Sequence, residues 1–338
     1  MTNPDELSSM SNSLIDPFGR KVDYLRLSVT DRCNLRCTYC MAEDMTFLPR
    51  QQILSLEELR DVASAFVELG VRKIRLTGGE PLIRRDIIKL VSAVSVLPGL
   101  DEVTMTTNGM LLPKMAQPLK DAGMNRLNIS IDSLQPDRFK TLTRLGDLGV
   151  WHKGIQAAKK ANFAKLKLNA VILAGFNDDE VIDLARYAVD NEMDISFIEE
   201  MPLGDISSHD RADTQITSQS IRHQLDREFD LTDSVETTGG PSRYVRIAGS
   251  DSKIGFISPM TNNFCESCNR VRMTAEGRLL LCLGNENSMD LREVIRSHPG
   301  DSALLRAKIV EALKNKPERH EFDLNRTDIV RFMNMTGG

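Results

Sequence analysis

The chain has 338 residues, 41% hydrophobic and 27% charged, with a formal net charge of −5. This is an ordinary globular composition, long enough for one large domain plus a smaller one. It carries no overall basic field for nucleic acid, and no apolar run approaches the length of a membrane span.

Residues 1–22 read as a polar N-terminal tail. The acidic start, Met1 to Asp16, lacks the basic and apolar segments of a signal peptide, so a cytoplasmic location is expected. From there to about residue 203, strand-like and helix-like stretches alternate. Strands are expected at 24–29, 73–78, 102–108, 126–132, 165–172 and 194–200. Helices are expected at 55–69, 84–97, 113–122, 149–161 and 178–191. Ser55 and Glu58 form a capping box for the first helix. Strands alternating with helices imply a parallel sheet, and units of this size suit a complete or partial (β/α) barrel.

Strands buried on both faces usually read as continuous apolar runs, but these alternate. Tyr24, Arg26 and Ser28 oppose Leu25, Leu27 and Val29; Arg75 and Thr77 oppose Ile74 and Leu76; Thr106 opposes Met105; Lys167 opposes Leu166 and Leu168. If helices cover the apolar face, the polar face lines a wet interior, which fits an open six-stranded barrel with a deep cavity. On this register Arg26, Arg75 and Lys167 point inward, with Asp132 and Glu200 as counter-charges. An anionic ligand would complement these cations. Lys73, Arg126 and Lys165 are expected at a solvated rim, where the strands start.

The first strand runs into Cys33-Asn34-Leu35-Arg36-Cys37-Thr38-Tyr39-Cys40. Three cysteines on one loop suit an iron–sulfur centre, a zinc ion completed from elsewhere, or inert thiols. Thr77-Gly78-Gly79-Glu80-Pro81 ends the second strand and exposes backbone at the end where barrels place ligands. Residues 204–220 read as a linker or mobile loop. A C-terminal region over 204–338 follows, with a helix near 217–227, strands near 244–249 and 253–258, a hairpin across 272–282, and helices near 290–297 and 301–314. It holds Cys265, Cys268 and Cys282, interleaved with Arg270 and Arg272. These are the remaining three of six cysteines. In a reducing compartment two three-cysteine metal sites are a better reading than three disulfides. The second set admits zinc or an iron–sulfur cluster, and its arginines suit a phosphate or carboxylate ligand. No P-loop is present. The five histidines show no ligand spacing, and Trp151 reads as packing.

The C-x3-C-x2-C loop with an aromatic residue before its last cysteine resembles the signature of the radical S-adenosylmethionine (SAM) enzymes. Taken with Arg75-Leu76-Thr77-Gly78-Gly79-Glu80-Pro81-Leu82, Thr106-Thr107-Asn108-Gly109, Asn128-Ile129-Ser130-Ile131-Asp132, the Cys265 to Arg272 stretch and the Gly337-Gly338 end, the chain from about residue 17 onward is similar to the molybdenum cofactor biosynthesis protein A family, the GTP 3′,8-cyclases. The resemblance implies an α/β fold with a partial, open (β/α)6 radical SAM barrel over 23–203, and a C-terminal region carrying a second 4Fe–4S cluster. It implies that Cys33, Cys37 and Cys40 hold the SAM cluster, that Tyr39, Gly79, Ser130 and Met201 contact SAM, and that Cys265, Cys268 and Cys282 hold the second cluster. Arg26, Arg75, Thr106, Lys167, Arg270 and Arg272 would bind GTP. The family's deoxyadenosyl radical takes hydrogen from C3′ of GTP, and the resulting radical attacks C8. The product is (8S)-3′,8-cyclo-7,8-dihydroguanosine 5′-triphosphate, which passes to cyclic pyranopterin monophosphate synthase. An external electron donor is implied, as is a monomer or homodimer. In this family the Gly-Gly tail, here Gly337 and Gly338, enters the active-site cavity and is needed for turnover.

One departure stands out. The family commonly has Arg before the Phe-Ile-Glu of the sixth strand, where this chain has Ser196. Competing readings are a radical SAM enzyme of another branch, acting on a peptide or other substrate, and a non-catalytic zinc-stabilised protein. The Arg270-x-Arg272 pair and the Gly-Gly end favour the cyclase.

Overall fold

The architecture is that of a computed structural model, which describes residues 13–204, 206, 209, 211–323, 329 and 331–337. Six strands and their helices follow one another. They are β1 (Tyr24–Ser28), α1 (Leu56–Glu68), β2 (Lys73–Thr77), α2 (Ile87–Ser95), β3 (Glu102–Thr107), α3 (Leu112–Asp121), β4 (Arg126–Ser130), α4 (Pro136–Thr143), α5 (Leu148–Lys160), β5 (Lys165–Ile172), α6 (Val181–Asp190) and β6 (Asp194–Glu199). Ser55 caps α1 as expected: its hydroxyl accepts from the Glu58 amide at 3.1 Å, and the Glu58 carboxylate accepts from the Ser55 amide at 2.7 Å. The apolar sides of these strands and helices form one core, with Leu25, Leu27, Ile74, Leu76, Phe66 and Trp151 fully buried.

The C-terminal region does not build a sheet of its own. After α7 (Ser218–Leu225) come β7 (Leu231–Asp233), β8 (Arg243–Ile247), β9 (Lys253–Ile257), β10 (Arg270–Met273), β11 (Arg278–Leu280), β12 (Ser288–Asp290), α8 (Leu291–Ser297) and α9 (Ser302–Leu313). β9 adds in parallel beside β6, and β10 adds in parallel beside β1. The sheet order is β12-β11-β10-β1-β2-β3-β4-β5-β6-β9-β8-β7, with eight adjacent strands parallel and antiparallel ribbons at both ends. Among the described residues the two ends do not pair, so the barrel is open. The six-strand expectation is right for the chain's first part, but the interior is walled by eight parallel strands. Parallel strands near in sequence need long crossovers; here distant segments supply the outer two.

Three other expectations need correction. Part of the supposed tail is ordered: Leu14–Ile15 pairs with Lys21–Val22, and Arg20 ties this hairpin to the carbonyls of Cys265, Pro317 and Glu318. Residues 1–12 lie outside the described residues. The rim where the strands start is paired, with Lys73 buried and Arg126 and Lys165 only partly in solvent. Lys73 and Arg126 share Glu102, Lys165 meets Asp194 at 3.3 Å, and Lys73 also donates to the Thr238 carbonyl at 2.9 Å. Asp132 and Glu200 do not counter the inward cations. Asp132 accepts from the Tyr39 hydroxyl and the Val171 amide, while Glu200 meets His209 at 2.6 Å. Among the described residues no helix is long and apolar enough to cross a membrane.

Candidate active site

The loop after β1 carries the first cysteine set. It is fixed from both sides: the Arg36 and Thr38 amides donate to Thr143 and Leu142 at the end of α4, at 3.0 and 2.9 Å. Across from them, Gly79 and Glu80 donate their amides to the carbonyls of Thr30 and Arg32. Gly79 is required by this approach, since a Cβ there would lie 2.3 Å from the Arg32 carbonyl oxygen. Gly79→Ala is therefore expected to displace the loop and lower iron and sulfide loading at the first set while the second set loads normally. Iron and sulfide analysis after anaerobic reconstitution checks this.

Beyond the glycines, Glu80 is fully buried. Its carboxylate accepts from the Leu82 and Asn108 amides and the Thr107 hydroxyl, and burial pushes it up to about 7. Asn108 donates to Asn34 Oδ1 at 2.8 Å and to Cys33 Sγ at 3.8 Å. So the end of β3 orients the loop that ends β1.

The thiols lie in poor surroundings for charge. Burial pushes Cys33 up to about 11 and Cys40 to about 12. Cys37 is held well above its ordinary range by burial, then by Cys40 and Asp132. Thiolates here need a cationic partner. A cavity of about 170 Å³ opens over them. Its wall includes Cys33, Cys37, Tyr39, Cys40, Gly79, Thr106, Ser130 and Met201. Thr77 Oγ1, Asn169 Oδ1 and Asn334 Oδ1, from residues of the same wall, are buried without a hydrogen-bond partner. Unpaired buried polar atoms are costly, and a polar ligand removes the cost. Softness of the thiols and unmet polar atoms together fit an iron–sulfur cluster with a polar cofactor. Among the described residues no three His, Cys, Asp or Glu side chains converge on one metal ion; a multi-iron cluster is larger and takes ligands set further apart.

The second set stands on the far side of a shared wall. Asn169, Ile198, Met201 and Met333 line both the first cavity and a second of about 130 Å³. Cys265, Cys268, Cys282, Arg26, Arg270 and Arg272 line this second cavity. A wider groove of about 820 Å³ shares Pro241, Phe264 and Arg270 with it and opens to solvent. Burial raises Cys282, while Cys268, though also raised by burial, is brought below its ordinary value by Arg270 and Lys316.

Strand register concentrates positive charge. Arg272 of β10, Arg26 of β1 and Arg75 of β2 are direct neighbours across adjacent strands. All three are largely buried. Burial and then Arg272 hold Arg26 well below the usual guanidinium range; burial and then Arg270 push Arg272 down to about 10. Such a row calls for an anion or carbonyls. The Gly337 carbonyl accepts from Arg272 at 2.6 Å and from Arg26 at 3.3 Å. Gly338 lies outside the described residues.

Arg75 and Lys167 do not line either cavity. Each is held beneath by a tyrosine: Arg75 donates to the Tyr24 hydroxyl and to Thr106 Oγ1, and Lys167 donates to the Tyr244 hydroxyl at 2.7 Å. Burial raises the Tyr24 phenol, but Arg75, Arg26 and Lys73 outweigh it and bring it to about 7. At the departure position Ser196 is fully buried, its hydroxyl 2.6 Å from that of Ser242. Gly255 on the adjoining strand has no room for a side chain, with Ser196 Oγ 2.4 Å from an added Cβ.

Sequence reading missed Tyr244, Lys316 and Asn334, whose single positions carry no pattern. It read Trp151 as packing only; the indole is fully buried but also donates to the Ser130 carbonyl at 3.0 Å. Tyr39, read as a cofactor contact, spends its hydroxyl on Asp132 at 2.7 Å.

Two families match in succession: the "Radical SAM superfamily" over residues 27–188 and "Molybdenum Cofactor Synthesis C" over residues 193–322. The chain is 59% identical over 330 residues to a GTP 3′,8-cyclase of Pseudomonas putida (strain W619), covering 97% of this chain and 99% of the relative. It is 60% identical over 328 residues to the GTP 3′,8-cyclase of Pseudomonas entomophila (strain L48), covering 96% and 98%. Among solved structures it is similar in fold to Streptococcus suis SuiB bound to S-adenosylmethionine, with a TM-score of 0.61 at 15% identity, covering 92% of this chain and 76% of that one. The chain belongs to the radical SAM superfamily and, within it, to the GTP 3′,8-cyclase family.

Proposed function

We infer that the chain is a GTP 3′,8-cyclase, converting GTP to (8S)-3′,8-cyclo-7,8-dihydroguanosine 5′-triphosphate in molybdenum cofactor biosynthesis. The observation that carries the reading is β10 beside β1. That pairing sets Arg272 directly beside Arg26, with Arg270 two residues away, and all three line the cavity that also holds the second cysteine set and shares wall residues with the first cavity. The cyclase name of relatives near 60% identity supports the same substrate.

In this reading Cys33, Cys37 and Cys40 hold a 4Fe–4S cluster, and Gly79, Ser130, Met201 and Tyr39 form the SAM side of the cavity. The cluster and SAM, when bound, supply a 5′-deoxyadenosyl radical. Cys265, Cys268 and Cys282 would hold a second 4Fe–4S cluster, in the cavity that they line together with Arg26, Arg270 and Arg272. Arg26, Arg270 and Arg272 bind the nucleotide through charge-assisted hydrogen bonds. Arg75 and Lys167 act as a layer outside the two cavities, and Thr106, which accepts from Arg75, reaches the wall of the first. Arg75 is fixed by Tyr24, and Lys167 by Tyr244, so little rotamer freedom is lost when the nucleotide arrives. The residues that line both cavities, Asn169, Ile198, Met201 and Met333, set the SAM side and the nucleotide side next to each other. Ser196 supplies no cation, so the site relies on the remaining ones. An external electron donor and a downstream cyclic pyranopterin monophosphate synthase complete the scheme. With all six cysteines assigned to two metal sites and none left for a disulfide, a reducing compartment, the cytoplasm, suits the chain.

Anaerobic incubation of reconstituted protein with SAM, GTP and dithionite tests the reading. The cyclised nucleotide is expected; SAM cleavage with unaltered GTP would overturn it. Arg270→Ala and Arg272→Ala should each weaken GTP binding or turnover by about 1–3 kcal/mol, roughly 5–150-fold. Thermal stability should hold, since truncation relieves like-charge crowding. Normal GTP conversion by both variants would remove the arginines from the site.

A further inference from the structure

Lys316 follows α9 and is 3% exposed. Its ammonium has three donors, and each has a protein acceptor: the Leu281 carbonyl at 2.7 Å, the Arg270 carbonyl at 3.0 Å and Cys268 Sγ at 3.6 Å. Among the described residues no carboxylate is paired with it. Burying an ammonium is costly unless an opposite charge lies close. The negative charge available is that of the second cysteine set, because Arg270 and Leu281 flank Cys268 and Cys282 in the chain.

The residues after Lys316 continue around the same set. The His320 amide donates to Cys265 Sγ at 3.4 Å, and the Glu321 amide donates to the Gly284 carbonyl at 2.9 Å. Arg20, locked by Asp16, joins the carbonyls of Pro317 and Glu318 to that of Cys265. Residues 316–321 thus pass all three cysteines and give hydrogen bonds to two of the sulfurs.

We propose that Lys316 is a positioning and charge-compensating residue for the second cysteine set, and that its N–H···S bond to Cys268 raises the reduction potential of the iron–sulfur cluster held there. The inference rests on the reading of this set as a second cluster site. All three Lys316 donors are spent on protein groups, so Lys316 acts through the sulfur ligands and not on the nucleotide. Hydrogen bonds and positive charge at cluster sulfurs favour the more negative, reduced state.

The test uses the anaerobically reconstituted full-length chain, with iron and sulfide analysis and a dithionite titration followed by electron paramagnetic resonance. Lys316→Met removes the charge and the donors; Lys316→Gln removes the charge but keeps an amide donor. Both are expected to move the second cluster's midpoint to more negative potential by at least tenfold in the oxidised-to-reduced ratio, about 59 mV for one electron. The first cluster, in the same sample, should not move. Should the neutral variants load only the first cluster while Lys316→Arg loads both, the charge is needed to hold the set, which supports the proposal. Loss of the second cluster in all three variants alike marks a scaffold and overturns it. Two clusters with an unchanged midpoint in the neutral variants overturns this inference alone. A wild-type chain that loads a single cluster overturns the parent reading and this one with it.

Discussion

Serine at Cys37 is expected to abolish reductive SAM cleavage. Cys37 is the middle cysteine of the first set, and its loop is anchored on both flanks, by Thr143 and Leu142 on one side and by the Gly79–Glu80 turn on the other. A neighbouring residue therefore has little freedom to replace it. Serine has nearly the same volume but offers a hard hydroxyl in place of a soft thiolate, a poor ligand for iron–sulfur chemistry. Burial already disfavours charge here, with Cys40 and Asp132 adding to it, so an alkoxide at this position is less accessible still. For the same reason cluster assembly must expel protons from the thiols, and loading should improve as pH rises. Cys268→Ser is the matched control: it should remove iron from the second set and leave SAM cleavage standing. Measuring 5′-deoxyadenosine release and iron per chain in both variants separates the two sites. SAM cleavage at the wild-type rate in Cys37→Ser would sink the assignment of the first set.

Much of the barrel was legible because its strands break the rule for parallel sheets. Polar residues at every second position, as at Tyr24, Arg26 and Ser28, leave one face that must meet something polar: Arg26 meets a cavity, Tyr24 accepts from Arg75, and Ser28 donates to the Thr30 carbonyl. The strands end earlier than the patterns suggest, at Ser28, Thr77, Thr107, Ser130 and Glu199. The polar residues just beyond them serve loops: Asn108 turns to the cysteine loop, and Asp132 to Tyr39 and Val171. α4 was missed since Pro136 to Thr143 is short and mostly polar on its outer face, yet its end fixes the cysteine loop. What alternation cannot disclose is which distant strand covers an open edge. Nothing in Arg270-Val271-Arg272-Met273 names β1 as its neighbour; only the shared polar–apolar alternation makes the pairing possible afterwards. Arg75 and Lys167 were expected to face the cavity, but neither lines it, and their tyrosine partners were not foreseen. Tyr244 lies 77 residues from Lys167, beyond the reach of any local pattern. Lys316 shows the limit most plainly: in the run Lys314-Asn315-Lys316 it looks like a solvated charge, and three dimensions bury it.

Loss of the C-terminal glycines is expected to reduce GTP conversion sharply while leaving the fold and the iron content intact. Gly337 follows a short turn, Met333–Thr336, whose Asn334 side chain donates to the Asp31 carbonyl at 2.8 Å. That bond holds the tail to the start of the cysteine loop. Gly337 then lies against Thr77 and Gly78 with φ +73. A side chain is unfavourable there by about 1–2 kcal/mol on conformation alone, and a Cβ would come within 2.0 Å of Thr77 Oγ1. The tail's few contacts are weaker than the barrel core, so Gly337→Ala should expel the tail and not unfold the protein. The arginines would then lose their carbonyl partner: Arg272 and Arg26 both donate to Gly337 O. With the tail gone, two guanidiniums of neighbouring strands face each other without it, and the nucleotide meets cations in altered positions. Gly337→Ala and deletion of Gly337-Gly338 should therefore agree. Each should lower GTP conversion by at least about tenfold, a barrier change near 1.4 kcal/mol, with SAM binding, iron content and melting temperature unchanged. Turnover with GTP, iron analysis and thermal denaturation on the same preparations decide it. A truncated chain that converts GTP at the full-length rate would make the tail a passive end, and a truncated chain that loses iron would make it a structural strap.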